Sequence, residues 1–146
     1  MSIYFAYGSN MSSARLLARV TAAEPLGRAF VSDWQLAFNK PGRDGSGKAN
    51  LVPAAGAVTW GVAWTLPEDP WPLLDGFEPG YERGVFRLLR TDDRELHAHV
   101  YLYECAADAP SIPPSDEYLD HLLTGALEHD LPEDYIANLR SFGDTG

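Results

Sequence analysis

Tyr4-Phe5-Ala6-Tyr7-Gly8-Ser9-Asn10 is an apolar run that stops at a turn, and Met11-Ser12-Ser13-Ala14-Arg15-Leu16-Leu17 takes over at once. The spacing predicts a strand over 3–7, buried on both faces, then a tight turn, then a helix over 11–20. Asn10 or Ser12 can cap that helix. Backbone N–H groups at such a junction lack helical acceptors and favour an anion. Gly8 has no Cβ, so a ligand can approach its backbone closely. The turn is therefore a candidate anion pocket.

Outward from this turn, segments 26–31 and 34–39 read as strand material around Ser32-Asp33. Segment 40–48 (KPGRDGSGK) reads as a mobile surface loop. Its Gly/Lys spacing does not match the phosphate-loop pattern. Segment 57–66 alternates large Val58, Trp60, Val62 and Trp64 with small Thr59, Gly61, Ala63 and Thr65, which is a strand with one bulky face. The small face can take close packing by a helix or a ligand. Prolines 67, 70 and 72 confine 67–78 to a loop with a short helix over 71–77. Segments 85–90 and 95–103 read as a hairpin turning at Thr91-Asp92-Asp93-Arg94. Segment 105–114 reads as a loop. An amphipathic helix follows over 115–129, then a short one over 132–141. The order implies one α+β domain over 1–146, with a largely antiparallel or mixed, barrel-like sheet flanked by helices.

The net charge of −10 disfavours nucleic acid and anionic membranes as partners. A local cluster of donors can still hold a small anion. Cys105 is the only cysteine, so no intrachain disulfide can form. No signal peptide or segment approaching the ~20 apolar residues of a spanning helix is read, and the expected location is cytoplasmic.

Among chemistry-bearing residues, Asp75 and Glu78 are three apart at the end of a short helix. That spacing puts two carboxylates on one side of a turn. Burial beside Phe77 would raise the Glu78 pKa toward the range of a general base. Two ordinary surface acids are the plainer alternative, and a carboxylate-pair hydrolase is a third. Arg83 can pair with either carboxylate or with a substrate carboxylate. Glu95, His97 and His99 share a strand face, but residues two apart on a strand lie roughly 7 Å apart and point in parallel. They read as a polar stripe rather than a metal site. Cys105 reads as a bystander thiol.

Three separated segments then agree in order: Tyr7-Gly8-Ser9-Asn10, Leu74-Asp75-Gly76-Phe77-Glu78 with Pro79-Gly80-Tyr81-Glu82-Arg83, and Pro113-Pro114-Ser115-Asp116-Glu117-Tyr118. With Trp60-Gly61-Val62-Ala63-Trp64, they make the chain resemble the γ-glutamylcyclotransferase family, including the AIG2-like proteins. The resemblance implies an enzyme that cyclises a γ-glutamyl group to 5-oxoproline and releases the attached amine. It implies no cofactor and no metal. Its substrate is a small γ-glutamyl compound, and the chain is expected to be a monomer or homodimer. Carried over by position, Glu78 is the expected acid/base. Tyr7, Gly8, Ser9 and Asn10 are the expected substrate cradle, with Tyr118 a pocket residue near it. Arg83, read from its position after Glu78 and not from the resemblance, is the further candidate for binding substrate, with a surface ion pair as its plainer alternative. A non-catalytic module that binds a glutamyl-like molecule is the alternative.

Overall fold

The computed structural model describes residues 2–67, 69–106 and 108–143. Glu68 and Ala107, within the two expected loops, and 144–146, at the end of the expected domain, lie outside the described residues. Strand β1 (Ser2–Ala6) runs into a short 3-10 turn (Ser9–Met11) and helix α1 (Ser13–Arg19). Strands β2 (Glu24–Pro41) and β3 (Gly47–Leu66) form a long hairpin. Helix α2 (Trp71–Gly76) precedes the hairpin of β4 (Glu82–Arg90) and β5 (Glu95–Leu102), and α3 (Asp116–Glu128) and α4 (Glu133–Ser141) follow. The sheet is a closed barrel in the order β1-β3-β2-β4-β5. Its pairings are antiparallel except where β1 closes on β5 in parallel, with Tyr4 opposite His99.

Two strand boundaries differ from the sequence expectation. The segments around Ser32-Asp33 are one continuous strand, because Asp33 takes a left-handed bulge (φ 68°) that bends the ladder without ending it. Its Oδ1 accepts the Gly56 N–H at 2.9 Å across the hairpin. The expected loop over 40–48 shrinks to a turn, with strand pairing reaching Lys40–Lys48 and Pro41–Gly47. Strand β3 thus starts ten residues before the alternating pattern that announces it. Pro53 and Gly56 obscure that early stretch, and they are tolerated because it is bulged and partly exposed.

The alternation over 57–66 does set two faces. On the small face, a Cβ at Gly61 would sit 2.3 Å from the Ala6 carbonyl oxygen and 2.7 Å from the Phe5 ring. Strand β1 takes the close packing that this face allows. On the bulky face, Trp64 is fully buried and meets His129 edge-on at 5.3 Å. Leu119, Leu122, Ala126, Ile136 and Leu139 of α3 and α4 are buried in the same core. Among the described residues no helix is long and apolar enough to cross a membrane.

Candidate active site

The 3-10 turn is fixed from behind by α3. A Cβ on Gly125 would lie 2.3–2.6 Å from the backbone and Cβ of Met11, so only glycine lets the two elements touch. Ser9 and Asn10 open this turn, so their N–H groups have no acceptor within it. Helix α3 starts at Ser115, whose Oγ accepts the Tyr118 N–H at 3.1 Å. That cap places Tyr118 in the first turn, with its hydroxyl 3.3 Å from where a Gly8 Cβ would be. Glu78 follows α2 in a run of tight turns, with its N–H on the Asp75 carbonyl and its carbonyl on the Tyr81 N–H. Gly80 closes the run at φ 85°.

These elements line a small pocket of about 40 Å³, walled by the 3-10 turn, Gly8, Glu78, Ala49, Phe5 and the five tyrosines Tyr4, Tyr7, Tyr81, Tyr101 and Tyr118. Glu78 and Asn10, 68 residues apart in sequence, meet there: Asn10 Nδ2 donates to Glu78 Oε1 at 3.0 Å. The same amide nitrogen donates to the Tyr4 hydroxyl at 3.0 Å. Arg19 approaches from α1 and donates to Asn10 Oδ1 at 3.1 Å and to Glu78 Oε1 at 3.4 Å. A guanidinium only donates, so it fixes the Asn10 amide with Oδ1 toward Arg19 and Nδ2 toward Glu78. One turn earlier, Arg15 Nε holds Ser9 Oγ at 3.0 Å. Both bonds to Glu78 end on Oε1. Oε2 has no hydrogen-bond partner among the described residues.

Burial raises the Glu78 pKa above the ordinary carboxylate value, and Arg19, Arg15 and the Asn10 amide only partly offset it. Its side chain is 17 % exposed. Burial likewise pushes up the hydroxyls of Tyr4, Tyr7 and Tyr81, and that of Tyr118 to about 12. They remain hydrogen-bond donors at neutral pH. Tyr81 donates to the Ala49 carbonyl at 2.7 Å, and Tyr118 accepts the Ala49 N–H at 3.0 Å. Tyr7 donates to the Tyr101 carbonyl. The hydroxyl hydrogens of Tyr4 and Tyr118 have no acceptor among the described residues, so both can donate into the cavity.

Of the residues expected from the sequence, Tyr7, Gly8, Ser9, Asn10, Glu78 and Tyr118 all line this cavity. Arg83 does not. Its Nε bonds Asp75 Oδ1 at 2.8 Å and its guanidinium stacks over Trp71 at 4.8 Å, on the outer side of α2. Asp75 also accepts from the Tyr101 hydroxyl and turns away from Glu78. The carboxylate-pair hydrolase therefore fails, because its two acids face different surroundings. His97 stays beside Glu95 at 3.8 Å while the His99 ring packs on Trp71 at 4.3 Å. Tyr4, Arg15 and Arg19 border the same site with no role expected of them from the sequence, and Tyr81, which the sequence marks only as part of a motif, joins them. The i, i+4 spacing of the two arginines on the helix after the turn was the available signal.

A model of the AIG2-like family matches residues 58–139. Mouse gamma-glutamylcyclotransferase is 30% identical over 149 aligned positions, covering 95% of this chain and 77% of that protein. The human gamma-glutamylcyclotransferase is 29% identical over the same extent. A solved structure titled gamma-glutamyl cyclotransferase superposes with a TM-score of 0.86 at 28% identity, covering 96% of this chain and 86% of that one. The residues that meet at the Gly8 turn thus sit in a shared fold, and the chain belongs to the AIG2-like, γ-glutamylcyclotransferase family.

Proposed function

We propose that this protein cyclises the γ-glutamyl group of a small γ-glutamyl amide to 5-oxoproline, with Glu78 as general acid/base. The observation that carries the reading is the convergence of Glu78 with the Ser9-Asn10 turn in one cavity, with Oε2 of the acid unengaged. The substrate's α-nitrogen is protonated near neutral pH and cannot attack its own γ-carbonyl. A carboxylate whose pKa burial has raised is a suitable acceptor for that proton. The freed amine bonds to the γ-carbon, and the bond from that carbon to the departing nitrogen breaks. Overall two protons leave the α-nitrogen, and both end on the departing amine. Glu78 relays them, and no water is consumed.

The nucleophile belongs to the substrate, so the protein needs no activated Ser, Cys or Lys. Its task is to hold the glutamyl chain folded, which makes ring closure effectively unimolecular. The N–H groups of Ser9 and Asn10, backed by Arg15 and Arg19, suit the α-carboxylate. The Tyr4 and Tyr118 hydroxyls then serve the oxygen that gains charge at the γ-carbon. Tyr7 braces the wall by its bond to the Tyr101 backbone.

Purified protein incubated with γ-glutamyl dipeptides is expected to release 5-oxoproline, and Glu78→Gln to stop the release. A Glu78→Gln variant with undiminished turnover overturns the role of Glu78. Thermal stabilisation by the same compounds without any 5-oxoproline would instead leave a binding module.

A further inference from the structure

Lys40 and Lys48 are the only lysines in the chain. Both lie on the β2–β3 hairpin, and both stand over tyrosines that wall the cavity. Lys48 Nζ is 4.4 Å from the centre of the Tyr118 ring, and Lys40 Nζ is 5.1 Å from that of Tyr81. A Cβ at Gly80, two residues from Glu78, would be 3.5 Å from Lys40 Nζ. Tyr81 and Tyr118 bond the carbonyl and the N–H of Ala49, so both lysines stand over adjacent lining residues and border the lining without being part of it. Other cations near carboxylates are spoken for: Arg19 pairs with Glu78, Arg83 with Asp75, Arg87 with Glu95 and Arg94 with Asp92. Neither lysine has a carboxylate within 4.0 Å among the described residues, although acids outnumber bases 21 to 11. Lys40 reaches only the Pro41 carbonyl, at 3.4 Å.

We infer that Lys40 and Lys48 are specificity-determining residues that receive a carboxylate on the departing half of the substrate. The enzyme then favours γ-glutamyl amino acids over γ-glutamylamines whose leaving groups are neutral or cationic. The inference rests on the cyclotransferase reading above. Arg15 and Arg19 serve the opposite wall, at the 3-10 turn, where the glutamyl head is placed. Lys40 and Lys48 act on Glu78 and Asp44 only from beyond ion-pair distance, which leaves their ammonium groups for the other end. A substrate with two carboxylates is repelled by a protein of net charge −10, and two local cations oppose that repulsion where it matters.

The test compares γ-glutamylalanine with γ-glutamylethylamide, which differ only in the carboxylate of the leaving group. Release of 5-oxoproline gives kcat/KM for each. The intact chain is expected to prefer γ-glutamylalanine about tenfold, as for a charge-assisted hydrogen bond. In Lys40→Met/Lys48→Met the ratio is expected to fall toward unity. Added salt is expected to shrink the intact chain's preference, because the rim is partly open to solvent. The ratio cancels any loss of folded enzyme, so an unstable variant still reports. A cation that merely braces a tyrosine ring would lower both substrates together and leave the ratio unchanged, which overturns the inference. Equal turnover of both substrates by the intact chain overturns it as well, while the cyclotransferase reading survives. Release of 5-oxoproline from neither substrate sinks that reading and this inference with it.

Discussion

Asp75 and Glu78 leave the same short helix three residues apart, and the two ends of that stretch live in opposite surroundings. Glu78 faces the cavity, is mostly buried, and has its pKa raised by that burial against the pull of Arg19. Asp75 faces the outer side. There burial is slight, and the Tyr101 hydroxyl and Arg83 outweigh it and hold its pKa below the ordinary value. In the proposed reaction Glu78 takes the proton, and Asp75 stays ionised as an anchor. Acidic residues at helical spacing do not become a pair merely by being close. What faces each of them decides its chemistry.

The largest effect that tests this contrast is on turnover. Glu78→Gln is expected to lower kcat by about 10²- to 10⁴-fold, the range for removing a general acid/base. Asp75→Asn keeps its shape and its bond from Tyr101, and is expected to change kcat far less. Release of 5-oxoproline from γ-glutamylalanine measures both. Comparable losses in the two variants would break the division between them.

Next in size is the wall that Glu78 faces. Gly125→Ala forces a methyl group against the Met11 backbone, which cannot swing aside as a side-chain tip can. The expected cost is roughly 1–3 kcal/mol, as for overpacking a filled site. That is several degrees in Tm for a chain of this size. The displaced turn carries Asn10 away from Glu78, so turnover is expected to fall with stability. A variant as stable and as active as the parent would show that the turn is not held by this contact.

Much of this arrangement was legible in the residues. The apolar run ending at Gly8-Ser9-Asn10 gave its strand and turn, and the period-two pattern over 57–66 gave a strand with one bulky face. The meeting of Glu78 with Asn10 was not in the pattern of either segment. It is produced by barrel closure and by Gly125, and neither leaves a local periodicity. Arg83 shows the opposite failure. It sits five residues after Glu78, but turns and strand alternation carry it to the outer side, where Asp75 and Trp71 hold it. The first ten residues of β3 were hidden because Pro53 and Gly56 read as breakers, while the bulged ladder absorbs both.

A smaller effect concerns Arg19, which links the two halves of the site. In the proposed reaction proton abstraction needs ionised Glu78, so the rate is expected to rise with pH through the Glu78 pKa. Arg19 lowers that pKa against the push of burial. Arg19→Met removes the charge, and the acid limb of the kcat profile is expected to move to higher pH. An unmoved limb with a lower plateau would mean that Arg19 acts through Asn10 alone.

The smallest effect is on stability, and its sign separates the two acids most cleanly. The native state raises the Glu78 pKa, so it binds this proton more tightly than the unfolded chain does. That stabilisation is complete below the ordinary glutamate value of 4.5 and is lost as pH rises through the native value. The native state lowers the Asp75 pKa, so its contribution is present above the ordinary aspartate value of 3.8 and is lost as pH falls through the native value. From acid to neutral pH, Glu78→Gln is therefore expected to gain stability relative to the parent, and Asp75→Asn to lose it. The Asp75 change is the weaker of the two, because its ion pair with Arg83 is open to solvent. Denaturant midpoints across the pH range check both slopes. Slopes of the same sign would mean that the two carboxylates share one environment, and the assignment of one as base and the other as anchor would fall.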